Sequence, residues 1–138
     1  MDLTSVNFVA IFLAAVANMV IGALWYSPTM FGTKWSALMG YKAKDLPKMQ
    51  QAAKNGYAVM FVVSLVMAYV MAHFIQYLGI TTVQEACQFG FWVWLGFVGA
   101  TQISDHIWSE KPLQLLYINS GYRIVATITM ALVLTLWV

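Results

Sequence analysis

Residues 57–78 read Tyr-Ala-Val-Met-Phe-Val-Val-Ser-Leu-Val-Met-Ala-Tyr-Val-Met-Ala-His-Phe-Ile-Gln-Tyr-Leu, 22 positions without an acidic residue, a lysine or an arginine. Coiled as a helix they rise about 33 Å at 1.5 Å per residue, enough to cross a hydrocarbon core of about 30 Å. Three further stretches are comparably apolar: residues 6–26 (21 positions), 86–103 (18) and 115–138 (24), the last interrupted by Arg123. Helices satisfy their backbone polar groups internally, and four strands could not close a barrel. The predicted class is therefore all-α: an integral membrane four-helix bundle forming a single transmembrane domain over residues 1–138, with no room for a second, soluble unit.

Composition agrees. Of the 138 residues, 62% are hydrophobic and 9% charged, against roughly 25% charged in soluble domains. One cysteine excludes an internal disulfide framework and a multi-cysteine zinc site. A net charge of +2 excludes a nucleic-acid footprint. Ala15-Val16-Ala17 resembles a leader-peptidase site, but the start carries Asp2 and no basic residue, so the first stretch reads as a retained helix.

Lysine placement orients the spans. Lys34, Lys42, Lys44, Lys48 and Lys54 lie in the loop 27–56 and Lys111 in the loop 104–114, while residues 1–5 and 79–85 carry no lysine or arginine. The positive-inside rule puts the long loop in the cytoplasm and both termini outside, in a multi-pass protein of the cell inner membrane. Within that loop Phe31, Trp35, Leu38 and Met39 fall at helical spacing, which predicts a short amphipathic cytoplasmic helix over residues 30–39, ended by Gly40. Pro47 suits the first turn of the second helix.

Small residues recur every fourth position: Ala10, Ala14, Asn18 and Gly22; Ser64, Ala68 and Ala72; Gly96, Ala100 and Ser104. Lipid gives little hydrophobic drive between helices, so close approach at such residues does the packing. These faces serve an intramolecular bundle and subunit contacts alike, and a homo-oligomer is expected. Besides the lipid bilayer, the expected partner is a lipid or small anionic ligand.

Function is sought among polar residues inside the spans, because burying them in lipid is costly. Arg123 is the one charge well inside. Asn18 is nearly level with it, Asn119 lies one turn away on the same face, and Thr101 and Gln102 sit at about that depth. Asp105 and Tyr26 mark the cytoplasmic edge. Side chains lean toward their helix N-terminus, so Arg123 and Asp105 lean toward each other. The outer half of the fourth span offers only threonines. Together Arg123, Asn119, Asn18, Gln102, Thr101, Asp105 and Tyr26 outline a cytoplasm-facing polar pocket for an anionic or amphiphilic small molecule. The bland reading is that Arg123 snorkels to headgroups or locks the bundle through Asp105 and Asn119. His73, grouped with Tyr69, Gln76 and Tyr77, reads as a hydrogen-bonded interfacial histidine. Asp105, His106 and Glu110 match no established metal spacing, and no phosphate loop, nucleophile elbow or HExxH occurs, so no metal, cofactor or catalytic residue is assigned. A scaffold that docks another membrane protein is the alternative, and a membrane enzyme or redox accessory subunit the third reading.

Two stretches carry a resemblance. One is Gly22-Ala23-Leu24-Trp25-Tyr26-Ser27-Pro28 followed by Phe31-Gly32 and Trp35. The other is Trp108-Ser109-Glu110-Lys111-Pro112-Leu113 followed by Ile118-Asn119-Ser120-Gly121-Tyr122. Together they resemble an uncharacterised family of small four-helix bacterial membrane proteins, domain of unknown function number seventeen sixty-one. In the family pattern an arginine stands between the lysine and the proline; here Lys111 is followed directly by Pro112, which weakens a role for a second cation there. The resemblance implies four spans and membrane localisation, and no activity.

Overall fold

A computed structural model of the chain describes residues 6–137; Asp2 and Val138, which bear on the first and fourth expected spans, fall outside them. The described residues are helical, with no strand among them. Helix α1 (Phe8–Trp25) starts on Asn7, whose Oδ1 accepts from Val9 and Ala10 N–H and so satisfies two orphan donors of the first turn. A reversal leads to α2 (Gly32–Leu38), and a 3₁₀ turn (Ala43–Asp45) leads to α3 (Leu46–Leu78). Pro47 falls at the start of α3, as its missing N–H favours, and Gly79, at φ 69°, ends it. Helix α4 (Val83–Val93) opens on a reciprocal capping box between Thr82 and Glu85.

Among the described residues three helices are long and apolar enough to cross a membrane: Phe8–Trp25, Pro47–Leu78 and Leu113–Leu136. The third expected span behaves differently. Residues 83–109 are helical throughout, but one π-helical turn (Trp94–Gly99) separates α4 from α5 (Ala100–Ser109). There the Ala100 N–H donates to the Leu95 carbonyl, five residues back. The Trp94 indole lies against Gly99, where a Cβ would stand 3.1 Å from the ring. After a turn with Glu110 at φ 57°, α6 (Leu113–Leu136) closes the chain.

Helix α6 is the hub, packing against α1, α3 and α4. It runs antiparallel to α1: Asn7 Nδ2 donates to the Trp137 carbonyl at 2.8 Å, and Trp25 Nε1 to the Ile118 carbonyl at 2.9 Å. Close approach needs small residues. A Cβ on Gly90 would come within 2.8 Å of Ile128 Cα, so glycine sets the α4–α6 separation. Ala10, Ala14, Ala68, Ala86, Met71, Met130 and Leu134 form a dry core at the end where Asn7 meets Trp137. Of the small-residue faces, those on α1 and α3 are largely buried in the bundle, whereas Gly96, Ala100 and Ser104 are exposed.

One local expectation changes, while the short helix forms over Gly32–Leu38 with Phe31, Trp35, Leu38 and Met39 half-buried. His73 is buried, packs edge-on against Tyr69 at 4.5 Å, and has no hydrogen-bond partner on either ring nitrogen among the described residues, so it is a packed core group rather than a bonded interfacial one. Helix α2 contacts α6, and Trp35 turns inward onto Tyr26 at 5.8 Å. The reason is the reversal before it: Phe31 N–H donates to the Trp25 carbonyl and Gly32 N–H to the Ser27 carbonyl. A side chain on Gly32 would collide with the Tyr26 carbonyl oxygen, so only glycine allows this fold-back.

Candidate functional site

At the opposite end from the dry core, the end of α1, the start of α3, α2 and the first half of α6 diverge around a cavity of about 860 Å³. This lies within the roughly 300–1,000 Å³ usual for small-molecule sites. Its wall on α6 carries Asn119, Tyr122 and Arg123, positions i, i+3 and i+4 on one helical face. Facing them are Gly22, Ala23 and Tyr26 of α1, and Trp35 and Ser36 of α2. The remaining wall is the first half of α3, where Met49, Ala52, Ala53, Gly56 and Met60 repeat at helical spacing. Lys48 and Lys54 are exposed on that helix and stay off the lining.

Three hydrogen bonds brace the polar wall. Tyr26 OH donates to Asn119 Oδ1 at 2.6 Å, Tyr122 OH to Asn18 Oδ1 at 2.8 Å, and Ser120 Oγ to Gln102 Oε1 at 3.0 Å. Asn18 is buried beneath the floor and donates from Nδ2 to Ser64 Oγ at 2.6 Å; Ser64 in turn donates to the Met60 carbonyl. One asparagine thus ties α1 to α3 and α6. The Arg123 guanidinium carbon stands 5.1 Å from the centre of the Tyr122 ring, a cation–π contact of about 0.5–2 kcal/mol depending on desolvation. Among the described residues Arg123 makes no ion pair, and no carboxylate lines the cavity.

The sequence-derived candidates therefore separate. Tyr26, Gln102, Asn119 and Arg123 line the cavity together. Asn18 lies under it and holds Tyr122. Thr101 is exposed and spends its hydroxyl on the Phe97 carbonyl, four residues back. Asp105 lines a smaller recess of about 320 Å³ with His106, Ser109 and Lys111, and forms no ion pair with Arg123 among the described residues. That recess shares Gln102 and Asn119 with the main cavity. No group of three metal-capable side chains occurs among the described residues.

Sequence reasoning overlooked Tyr122 as a wall residue and the α3 face entirely. The 49/52/53/56/60 repeat of small and flexible side chains was a usable signal for the latter. The two motifs that carry the family resemblance meet in space. Trp25 lies against Gly121, where a Cβ would stand 2.8 Å from Cζ2, and the Gly22 position lies against the Tyr122 ring. Tyr26 and Tyr122 contact edge-on at 5.5 Å. The motif at the end of α1 and the one at the start of α6 are thus two halves of one junction that forms the cavity wall.

No curated protein and no solved structure matches the chain. The family model described as a protein of unknown function (DUF1761) matches residues 9–135, which includes both halves of that junction, and the chain belongs to this family.

Proposed function

We propose that the chain is a multi-pass inner-membrane protein that binds a small anionic or amphiphilic molecule in the cavity beside Arg123, with transport of that molecule as the broader role. In this reading residues 86–103 of the helical rod 83–109 make a fourth crossing, the termini face outward, and the cavity opens toward the cytoplasm. The lysine distribution supports the orientation. The exposed Gly96, Ala100 and Ser104 face supports a homo-oligomer, since such faces let helices approach closely.

The observation that carries the proposal is a half-buried guanidinium on a cavity wall with no carboxylate beside it. A cation inside a span is costly unless something pairs it, and among the described residues Arg123 meets an aromatic face and no carboxylate. A bound anion supplies the missing charge. The test is extraction and mass spectrometry of small molecules that copurify with the wild-type protein and with Arg123→Gln. A species enriched in the first and lost in the second, at equal expression and elution volume, supports binding. Identical extracts would refute it and leave Arg123 a structural residue.

A further inference from the structure

Resting on the pocket reading above, we infer that the ligand is a single-chain amphiphile. Its anionic head sits among Arg123, Asn119 and Gln102, and its alkyl chain lies along the first half of α3. The head follows from donor and acceptor accounting. Tyr26 gives its proton to Asn119 Oδ1, and Ser120 gives its proton to Gln102 Oε1. Both amide oxygens on the wall are thus taken by hydroxyls of the protein. On the stretch of wall beside Arg123 the groups without a protein partner among the described residues are Asn119 Nδ2, Gln102 Nε2 and the guanidinium N–H groups, all donors; the Ser36, Tyr41 and Tyr57 hydroxyls, which can also accept, line the cavity from α2, the loop after it and α3. Such a wall suits an acceptor-only anion with two or more oxygens on one centre, a carboxylate or a phosphate. Charge-assisted bonds to it are about twice as strong as neutral ones. An amine or ammonium head would meet unpaired donors and a like charge.

The chain follows from the opposite wall. Met49, Ala52, Ala53 and Met60 of α3, with Met19 and Ala23 of α1, offer no side-chain hydrogen-bonding partner beyond weak thioether acceptors, and Tyr57 adds one hydroxyl to the α3 side. Methionine adapts its shape to flexible apolar partners. A fully hydrated anion would leave this surface unused, whereas an alkyl chain covers it.

The test uses the full chain in phosphatidylcholine nanodiscs, with 11-bromoundecanoate as a quencher of tryptophan fluorescence, because Trp35 lines the cavity. The expected result is saturable quenching displaced by dodecanoate and dodecyl phosphate. Dodecanol and inorganic phosphate should displace it at least tenfold less well. Arg123→Gln should weaken it about tenfold or more. Asn119→Asp keeps an acceptor for Tyr26 but turns a donor into a negative charge, and should weaken it comparably, so the inference stays testable if one variant misfolds. Displacement by dodecanol as strong as by dodecanoate, unaffected in either variant, would overturn the anionic head while leaving an amphiphile pocket. Displacement by inorganic phosphate as strong as by dodecanoate would overturn the chain while leaving an anion pocket. Absence of saturable quenching would overturn both this inference and the pocket reading. Adding phosphatidylglycerol to the discs identifies the source. Suppressed quenching points to a bilayer headgroup and unchanged quenching to a free acyl anion, and either result upholds the donor-lined site.

Discussion

Asn18→Ala removes the residue that ties three helices together under the cavity. Its two side-chain bonds, to Ser64 at 2.6 Å and from Tyr122 at 2.8 Å, are both lost. Interhelical hydrogen bonds in membranes average about 0.6 kcal/mol, with a maximum near 1.7. Two average bonds give about 1.2 kcal/mol, or roughly eightfold in the unfolding equilibrium. The larger penalty for orphaned polar groups does not apply, because each partner keeps an alternative. The Ser64 hydroxyl still reaches the Met60 carbonyl at 2.7 Å, and the Tyr122 hydroxyl lies 3.3 Å from the Asn18 backbone oxygen. The assay is reversible unfolding in mixed micelles, run as a double-mutant cycle with Tyr122→Phe. A coupling energy of about 0.6–1.7 kcal/mol is expected. Additive single effects would refute the bond between Asn18 and Tyr122. Complete loss of folding in Asn18→Ala alone would refute the argument that its partners have fallbacks.

Other positions give sharper contrasts. Gly90→Ala should cost about 1–3 kcal/mol by forcing α4 from α6, because the obstacle is backbone at 2.8 Å. Gly96→Ala meets nothing within 4 Å and should leave monomer stability unchanged in the same unfolding assay. Thr82→Ala should cost about 1 kcal/mol through loss of the α4 cap, read by hydrogen exchange at residues 83–86. Glu85 titrates below its ordinary value of 4.5 because the Thr81 and Thr82 N–H groups bond its carboxylate. Its stabilisation is therefore complete above that value and fades as the pH falls through the lowered one. Protection factors at the start of α4, taken relative to the intrinsic exchange rate at each pH, should fall in acid, and Glu85→Gln should abolish that pH dependence.

Much of the helical layout was legible because apolar runs of this length satisfy their own backbone polar groups most simply as helices. The ends of α3 follow from Pro47 and Gly79, and the short helix from the spacing of Phe31, Trp35 and Leu38. The π turn at Trp94–Gly99 was not legible, since it depends on how the Trp94 ring settles against Gly99. Depth along the helices set Asn18 nearly level with Arg123, Asn119 one turn away and Tyr26 at the edge; in the structure Tyr26, Asn119 and Arg123 line one cavity and Asn18 lies beneath it. Azimuth was the missing coordinate. Thr101 and Gln102 share a depth yet point differently, and only Gln102 reaches the cavity. Asp105 leans toward α6, yet it reaches the smaller recess rather than Arg123. The junction between Trp25 and Gly121 was hidden for a related reason: aromatic residues near span ends usually serve as interface anchors, and here one packs on a glycine instead.

The most direct measurement is a structure of the protein in discs formed from its own membranes, at a resolution that shows what touches the Arg123 guanidinium. The account expects extra density in the cavity, with oxygen atoms within about 3 Å of Arg123 and of Asn119 Nδ2. Arg123 turned out of the cavity into acyl tails, or closed onto the Asp105 carboxylate with the cavity filled by side chains, would contradict it.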